Sequence, residues 1–412
     1  MAKTVVPFKL LVVIAGSAQT GGGFHQSITN LETLLRAAPK HFIIDVLPLS
    51  RAFDETLRRL LQEGKIESGQ VLRLPAKLTN FRDRVISSEA LIFRLARWAL
   101  NLSGRRVGMS ARARFIDNSD ADLVYFLSPV PLAKELLLKP FVWTLWDICH
   151  LDSPEFPEVR TSYKFEDRED FYSKSLRKAA LVVVDSTPLR ENTAMAYGLH
   201  GNKFVTIPFS PPATLAAGET SPELPSEVRD LTAPYFFYPA QLWGHKNHVR
   251  IAEAIAQLTA EGHDFHAVFV GKDHGAGATI AKRIASLGVS DRVHFLGYVS
   301  DQAMGALYQN ASALVMASYF GPTNIPPLEA FQLGVPVIAS LIHKDQLAQG
   351  ALYFDPDDEA SLSDAMLAVQ IPLVREQLVL QGEERLKGLD TERSIGEKSL
   401  IDSLTRLSRR LL

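Results

Sequence analysis

The chain has 412 residues, 46% of them hydrophobic and 22% charged, which suits two cores of about 200 residues each better than one. A formal charge of −2 excludes a general attraction to nucleic acid, and no apolar run reaches the roughly 18 residues that a membrane-spanning helix requires. A lone cysteine, Cys149, excludes an intrachain disulfide and points to a reducing, cytoplasmic compartment.

Lys3, the apolar run 10–15 and the small residues Gly16-Ser17-Ala18 imitate a secretion signal. The run is six residues, short of the roughly 7 to 15 such signals use, and a glycine-rich turn follows, so it reads as a first strand. Short apolar runs then alternate with amphipathic segments, the pattern of parallel strands joined by helical crossovers. Strands are expected at Phe8 to Ala15, Phe42 to Leu47, Val71 to Leu74, Leu123 to Leu127, Phe141 to Leu145, Leu181 to Asp185 and Phe204 to Ile207. Helices are expected at His25 to Ala37, Ala52 to Glu63, Ser87 to Leu102, Glu166 to Lys178 and Thr187 to Tyr197. Pro208, Pro211, Pro212, Pro222, Pro225 and Pro234 crowd the next stretch, the best linker in the chain. Beyond it the alternation restarts, with strands at Tyr235 to Tyr238, Ala267 to Val270, Val293 to Leu296, Ala313 to Met316, Val335 to Ala339 and Ala351 to Phe354. The expected architecture is α/β, with two doubly wound domains facing each other across a cleft. The first covers 1–207, the linker 208–234 and the second 235–390, and a helix over 391–412 crosses back to brace the first.

Four stretches carry chemistry. Gly21-Gly22-Gly23, between the first strand and its helix, lets backbone approach a ligand, but it is not G-x-G-x-x-G and Asp45 falls inside a strand, which argues against a nicotinamide site. A flexible turn is the plainer reading. Tyr238 to His248 carries Lys246 where a strand hands over to a helix, a position from which an ammonium neutralises a diphosphate, with Gln241, Trp243 and Asn247 as further donors. His245 and His248 have no third ligand nearby, so zinc is disfavoured. Phe320 to Ser340 reads as a Gly/Pro loop, a helix opening at Pro326-Pro327 with Glu329 in its first turn, a glycine stop and a buried strand. Such a helix start favours a phosphate, and Glu329 is placed to accept a sugar hydroxyl. From Phe81 to Phe115, eight arginines stand against Asp83 and Glu89 among large apolar residues. A helix resting on an anionic membrane and a core-facing helix with a solvated basic side account for this pattern equally well.

Gly21 to Gly23, Lys246-Asn247, Phe295-Leu296-Gly297-Tyr298-Val299 and Pro326 to Glu329, in this order and spacing, resemble the retaining glycosyltransferases of family 4, with the GT-B fold, over nearly the whole chain. The resemblance implies two Rossmann-like domains, an N-terminal one for the acceptor and a C-terminal one for a nucleotide-sugar donor. It implies that Lys246 contacts the donor diphosphate, Glu329 the ribose and the Val299 backbone the base edge. Gly22 and Gly23 then approach the phosphates from the opposite domain, and the amides of Leu328 and Glu329 complete the anion site. The family's glutamate eight positions before the ribose-binding one is Gly321 here, and its arginine five before the lysine is Gln241. Thr323, Asn324 and nearby backbone at Ile325 are left to read the sugar. Related enzymes also carry a His-Asp pair at the end of the strand over Phe141 to Leu145. Here Trp146 takes the histidine's place, and Asp147 with His150 is expected to orient the acceptor hydroxyl or the donor sugar, the alternative being residues that only cap the loop.

Asp120-Ala-Asp122 and Asp355-Pro-Asp357 are discounted as metal sites, since one precedes a strand and the other a helix, so neither metal nor bound cofactor is expected. The implied activity is transfer of one sugar, mannosyl and rhamnosyl being the candidates, from a nucleoside diphosphate to a saccharide or lipid-linked acceptor in bacterial surface polysaccharide assembly. The implied location is the cytoplasm, at the inner face of the membrane if 81–115 touches lipid. The alternatives are a GT-B phosphorylase or epimerase, or a non-catalytic binding subunit.

Overall fold

A computed structural model describes residues 7–16, 22–75, 109–212, 224–321, 323–358 and 360–412. Most of the basic segment, 81–108, lies outside the described residues, as do Gly21 and Pro322. The chain divides into two compact units. One comprises Met1–Trp146, Asp167–Ile207 and Ile395–Leu412, the other Asp147–Glu166 and Pro208–Ser394.

In the first unit six parallel strands, β1 (Phe8–Ile14), β2 (Phe42–Pro48), β3 (Leu123–Phe126), β4 (Phe141–Thr144), β5 (Leu181–Val184) and β6 (Phe204–Thr206), form one sheet in the order β2-β1-β3-β4-β5-β6. Every residue of β3, β4 and β5 is buried, which is why these strands read as unbroken apolar runs instead of alternating ones. The strand expected at Val71 to Leu74 is reduced to a single bridge between Val71 and Val46. Arg73 turns outward to pair with Asp54 and Pro75 follows at once, so the segment cannot extend the sheet edge.

The second sheet is also parallel, with β7 (Tyr235–Pro239), β8 (His266–Val270), β9 (Val293–Gly297), β10 (Ala313–Met316), β11 (Val337–Ser340) and β12 (Ala351–Phe354) in the order β12-β11-β10-β7-β8-β9. Chain order reverses between β7 and β10. In open α/β sheets, ligands bind outside the carboxyl ends of strands at such a switch point. Asp147–Glu166, expected within the first domain, groups with this second unit. Phe156 packs its ring 5.5 Å from Tyr319 and 5.4 Å from Phe320, and Glu158 bonds to His245.

The terminal helix begins at Pro372, well before the expected Thr391, and runs 40 residues to Leu411. Within the second unit, Arg393 donates to the carbonyls of Pro208 and Phe209 at 3.1 and 2.7 Å. Past that point, Leu400 and Leu404 are buried in the core of the first unit. Gly396 lies so close to β6 that an added Cβ would stand 2.1 Å from the Thr206 carbonyl oxygen.

In an exposed helix interior, glycine to alanine stabilises by about 1 kcal/mol. Gly388→Ala, whose Cβ would meet only Arg385 at 3.7 Å, should show that gain. Gly396→Ala should reverse the sign and lose about 1–3 kcal/mol, because backbone must move. Thermal melting of the two variants checks this; equal shifts would contradict the close contact.

Candidate functional site

The loop after β7 delivers Lys246 to the switch point. Residues 244–246 form a single 3-10 turn and Asn247 takes a left-handed conformation (φ 53°) before the helix His248–Ala260 begins, a geometry asparagine tolerates better than most residues. The Lys246 ammonium donates to Ser318 Oγ and Asn324 Oδ1, each at 3.3 Å, both on the loop after β10. Burial pulls its pKa from 10.5 down to about 8, with Cys149 and Asp147 pulling partly back. No carboxylate salt-bridges it among the described residues, and the side-chain nitrogen of neighbouring Asn247 is buried with no acceptor among them. The ammonium thus rests on two neutral oxygens, with Asp147 acting on its charge but not salt-bridged to it, an arrangement that leaves the cation able to bind a phosphate.

Two clamps hold the loops that form this site. Glu158 Oε1 accepts from the backbone N–H of His245 at 2.8 Å and faces its Nδ1 at 2.5 Å. The His245 ring stacks on Phe320 at 3.8 Å, and its carbonyl accepts from the Tyr319 N–H at 2.8 Å. Burial and the Lys246 charge push the His245 pKa down to about 4 against the opposing pull of Glu158, so the ring is neutral at pH 7 and donates from Nδ1. The second clamp is Gln346, just past β11, whose amide accepts from the Asn324 N–H at 2.9 Å and donates to the Asn324 carbonyl at 2.7 Å. Asn324 in turn donates to the Gly321 carbonyl at 2.5 Å.

Glu329 lies in the first turn of the helix Pro326–Gln332, with its Oε2 held at 2.5 Å by the Tyr308 hydroxyl. Burial, then the Glu329 charge, drives the Tyr308 pKa well above its ordinary value, so that hydroxyl keeps its proton and donates. The expected phosphate contacts from the Leu328 and Glu329 amides do not match the geometry. Both N–H groups donate to the Ile325 carbonyl, at 2.8 and 3.1 Å. Proline at 326 and 327 supplies no N–H, so the helix closes its first turn with the next two amides.

Gly321 has φ +79°, a conformation that L side chains rarely adopt, so a carboxylate at this position would require a different loop. Gln241 accepts from the Trp243 indole N–H at 3.0 Å, and that indole stacks on His274 at 4.3 Å. Val299 follows β9, two strands from β7, beside the almost fully exposed Tyr298. Thr323 stands between Gly321 and Asn324 on the same loop, and Ile325 is buried. Asp147 accepts from the Cys149 N–H at 2.9 Å, just before the short helix Cys149–Asp152. His150 is 0% exposed, with its ring 5.7 Å from that of Phe165. It therefore packs beneath its segment and presents no surface to an acceptor, contrary to the expectation from its strand-end position. In the first unit, Gly22 opens the helix Gly22–Ala37, and a Cβ on Gly23 would lie 2.5 Å from the Trp146 ring.

Sequence reasoning missed Ser318, Gln346, Tyr308 and the structural role of Glu158. Only Ser318 and Gln346 left a usable signal, since both follow strands next to the switch point. Among the described residues no cluster of three or more His, Cys, Asp or Glu could hold a metal, and no helix is long and apolar enough to cross a membrane. His248 is a core residue, its Nε2 3.2 Å from the Ala240 carbonyl and its ring between Tyr238 and Phe269.

The family profile of glycosyl transferases group 1 matches residues 222–369. O-antigen chain mannosyltransferase RfbU of Salmonella typhimurium is 32% identical over 138 residues, 33% of this chain and 38% of that protein. O-antigen chain mannosyltransferase B of Escherichia coli is 23% identical over 241 residues, 56% of this chain and 61% of that protein. The matched stretches thus span less than two thirds of these relatives. The crystal structure of Anabaena Alr3699/HepE in complex with UDP-glucose superposes with a TM-score of 0.63 over 95% of this chain and 99% of that one, at 16% identity. That likeness shows a shared fold, GT-B.

Burial also holds the His248 pKa down to about 3. The folded state therefore keeps this ring neutral while the unfolded chain takes up a proton below about 6.5, so stability falls as pH drops from 6.5 toward 3. Between pH 6.5 and 5, His248 should account for a loss of about 2 kcal/mol. In His248→Phe, denaturant titrations across this range should show a correspondingly shallower slope; an unchanged slope would contradict the buried neutral ring.

Proposed function

We propose, from the match of residues 222–369 to the glycosyl transferases group 1 profile and from the GT-B fold, that the protein transfers a hexosyl group from a nucleoside diphosphate sugar to a saccharide or lipid-linked acceptor. The observation that carries this reading is Lys246, a cation with a depressed pKa at the switch point of the second sheet, held by Ser318 and Asn324. In the reaction, the bond from the anomeric carbon to the diphosphate oxygen breaks and negative charge builds on the leaving group. Lys246 stabilises that charge more strongly in the transition state than in the ground state. Glu329, aligned by Tyr308, accepts from the ribose hydroxyls.

Gly321 leaves no side chain for the sugar, so Thr323 and Asn324 read its hydroxyls. The transferred sugar is mannosyl, on the strength of the O-antigen chain mannosyltransferases among the relatives, and the setting is surface polysaccharide assembly. The anomeric configuration is retained. In that course the leaving phosphate takes the proton of the acceptor hydroxyl as the new glycosidic bond forms, so the buried His150 is not required as a base.

Two outcomes test this reading. Calorimetric titration with nucleoside diphosphate should show Lys246→Met weakening affinity by about tenfold to a hundredfold, the worth of a charge-assisted hydrogen bond. Binding to the unaltered protein should also weaken as pH rises above about 8, because the ligand must then recruit a proton to Lys246, while Lys246→Arg should remove that dependence. Equal affinity in Lys246→Met, or a pH dependence that survives Lys246→Arg, would refute the assignment of the lysine.

A further inference from the structure

The first unit holds a cavity of about 380 Å³ to which no role has been given. It lies at the carboxyl ends of β1, β2 and β3, lined among others by Gly16, Ser50, Val130, Leu132, Arg112 and Glu135. Chain order reverses between β1 and β3, so this is the switch point of the first sheet. The volume falls within the roughly 300–1,000 Å³ of small-molecule sites.

Arg112 gives the cavity its chemistry. It stands in the first turn of the helix Ala111–Asp117, and its Nε is buried with no acceptor among the described residues. Neither does any described carboxylate form an ion pair with its guanidinium. Glu135 lines the same cavity, but its Oε2 accepts from the Ser110 N–H at 2.7 Å, which holds the carboxylate toward the helix start. The Ser50 hydroxyl donates to the Gly16 carbonyl at 2.5 Å and so offers its oxygen as an acceptor. A guanidinium that lines the cavity with Val130 and Leu132 and has no carboxylate partner among the described residues is a charge that an incoming anion can pair with. Its planar fork matches a carboxylate or a phosphate, while Glu135 and Ser50 suit hydroxyl donors.

We propose that this cavity binds the acceptor, and that the acceptor is a saccharide bearing an anionic oxygen group, phosphate or carboxylate, which Arg112 grips while Glu135 and Ser50 take its hydroxyls. The inference rests on the transferase reading above and names the substrate class that reading leaves open.

The test titrates glucose 6-phosphate, glucuronate and methyl glucoside into the full chain and into Arg112→Gln, Arg112→Lys and Ser50→Trp, with and without saturating nucleoside diphosphate. At least one of the two anionic sugars should bind about tenfold or more tightly than the neutral one, and which of them does distinguishes phosphate from carboxylate. Arg112→Gln should remove that preference, Arg112→Lys should keep part of it, and Ser50→Trp should block binding by filling the cavity. Nucleoside diphosphate affinity should stay unchanged in all three variants. Melting curves identify any variant that fails to fold, and the remaining ones then decide. Equal binding of all three sugars, no binding of any, indifference to both Arg112→Gln and Ser50→Trp, or competition with nucleoside diphosphate would overturn the proposal. Loss of nucleoside diphosphate binding by the unaltered protein would instead count against the transferase reading itself.

Discussion

A lysine ammonium held partly out of water at the end of β7 is the constraint around which the second unit is organised. An unpaired cation in such a place is costly, and Lys246 responds with a pKa near 8. Its hydrogen-bond partners, Ser318 and Asn324, are neutral oxygens, which hold the ammonium in position without cancelling its charge. On the proposed reading, that charge is what meets the diphosphate of the donor. The helix His248–Ala260 and the loops after β7 and β10 can be understood as the scaffold that keeps it there.

The scaffold is specific about which atoms it fixes. Glu158 reaches across 87 residues of sequence to hold His245, the residue before the lysine, and stacking of His245 on Phe320 joins the β7 loop to the β10 loop. Gln346 fixes Asn324 through both of its backbone polar groups, and Tyr308 fixes Glu329. Each supporting group is neutral or already engaged, so none competes with a diphosphate for Lys246. Such preorganisation spares the site the cost of reorienting dipoles as charge builds on a leaving group.

Much of the fold was legible because parallel strands buried on both faces leave short unbroken apolar runs, as at Leu123–Phe126 and Val337–Ile338. Val71 failed as a strand because run length says nothing about the ion pair that draws Arg73 away from the sheet edge. The positions of Lys246 and Glu329 were legible from strand-to-helix handovers. The state of the Leu328 and Glu329 amides was not, since it depends on how two consecutive prolines shift the first turn. His150 looked functional from its place after β4, yet it is buried and one of the rings against it is Phe165, fifteen residues on, a contact that no local pattern reveals. The Glu158 clamp is a contact distant in sequence, and one chain without an alignment carries no record of such pairs.

On the proposed reading, Lys246 and Glu329 bracket the diphosphate and ribose of a nucleotide. A crystal structure of the protein grown with nucleoside diphosphate tests this placement. The diphosphate should lie within hydrogen-bonding distance of Lys246 Nζ and the Asn247 side-chain amide, with the ribose hydroxyls on the Glu329 carboxylate. A nucleotide bound elsewhere, or one whose phosphates turn away from Lys246, would contradict it.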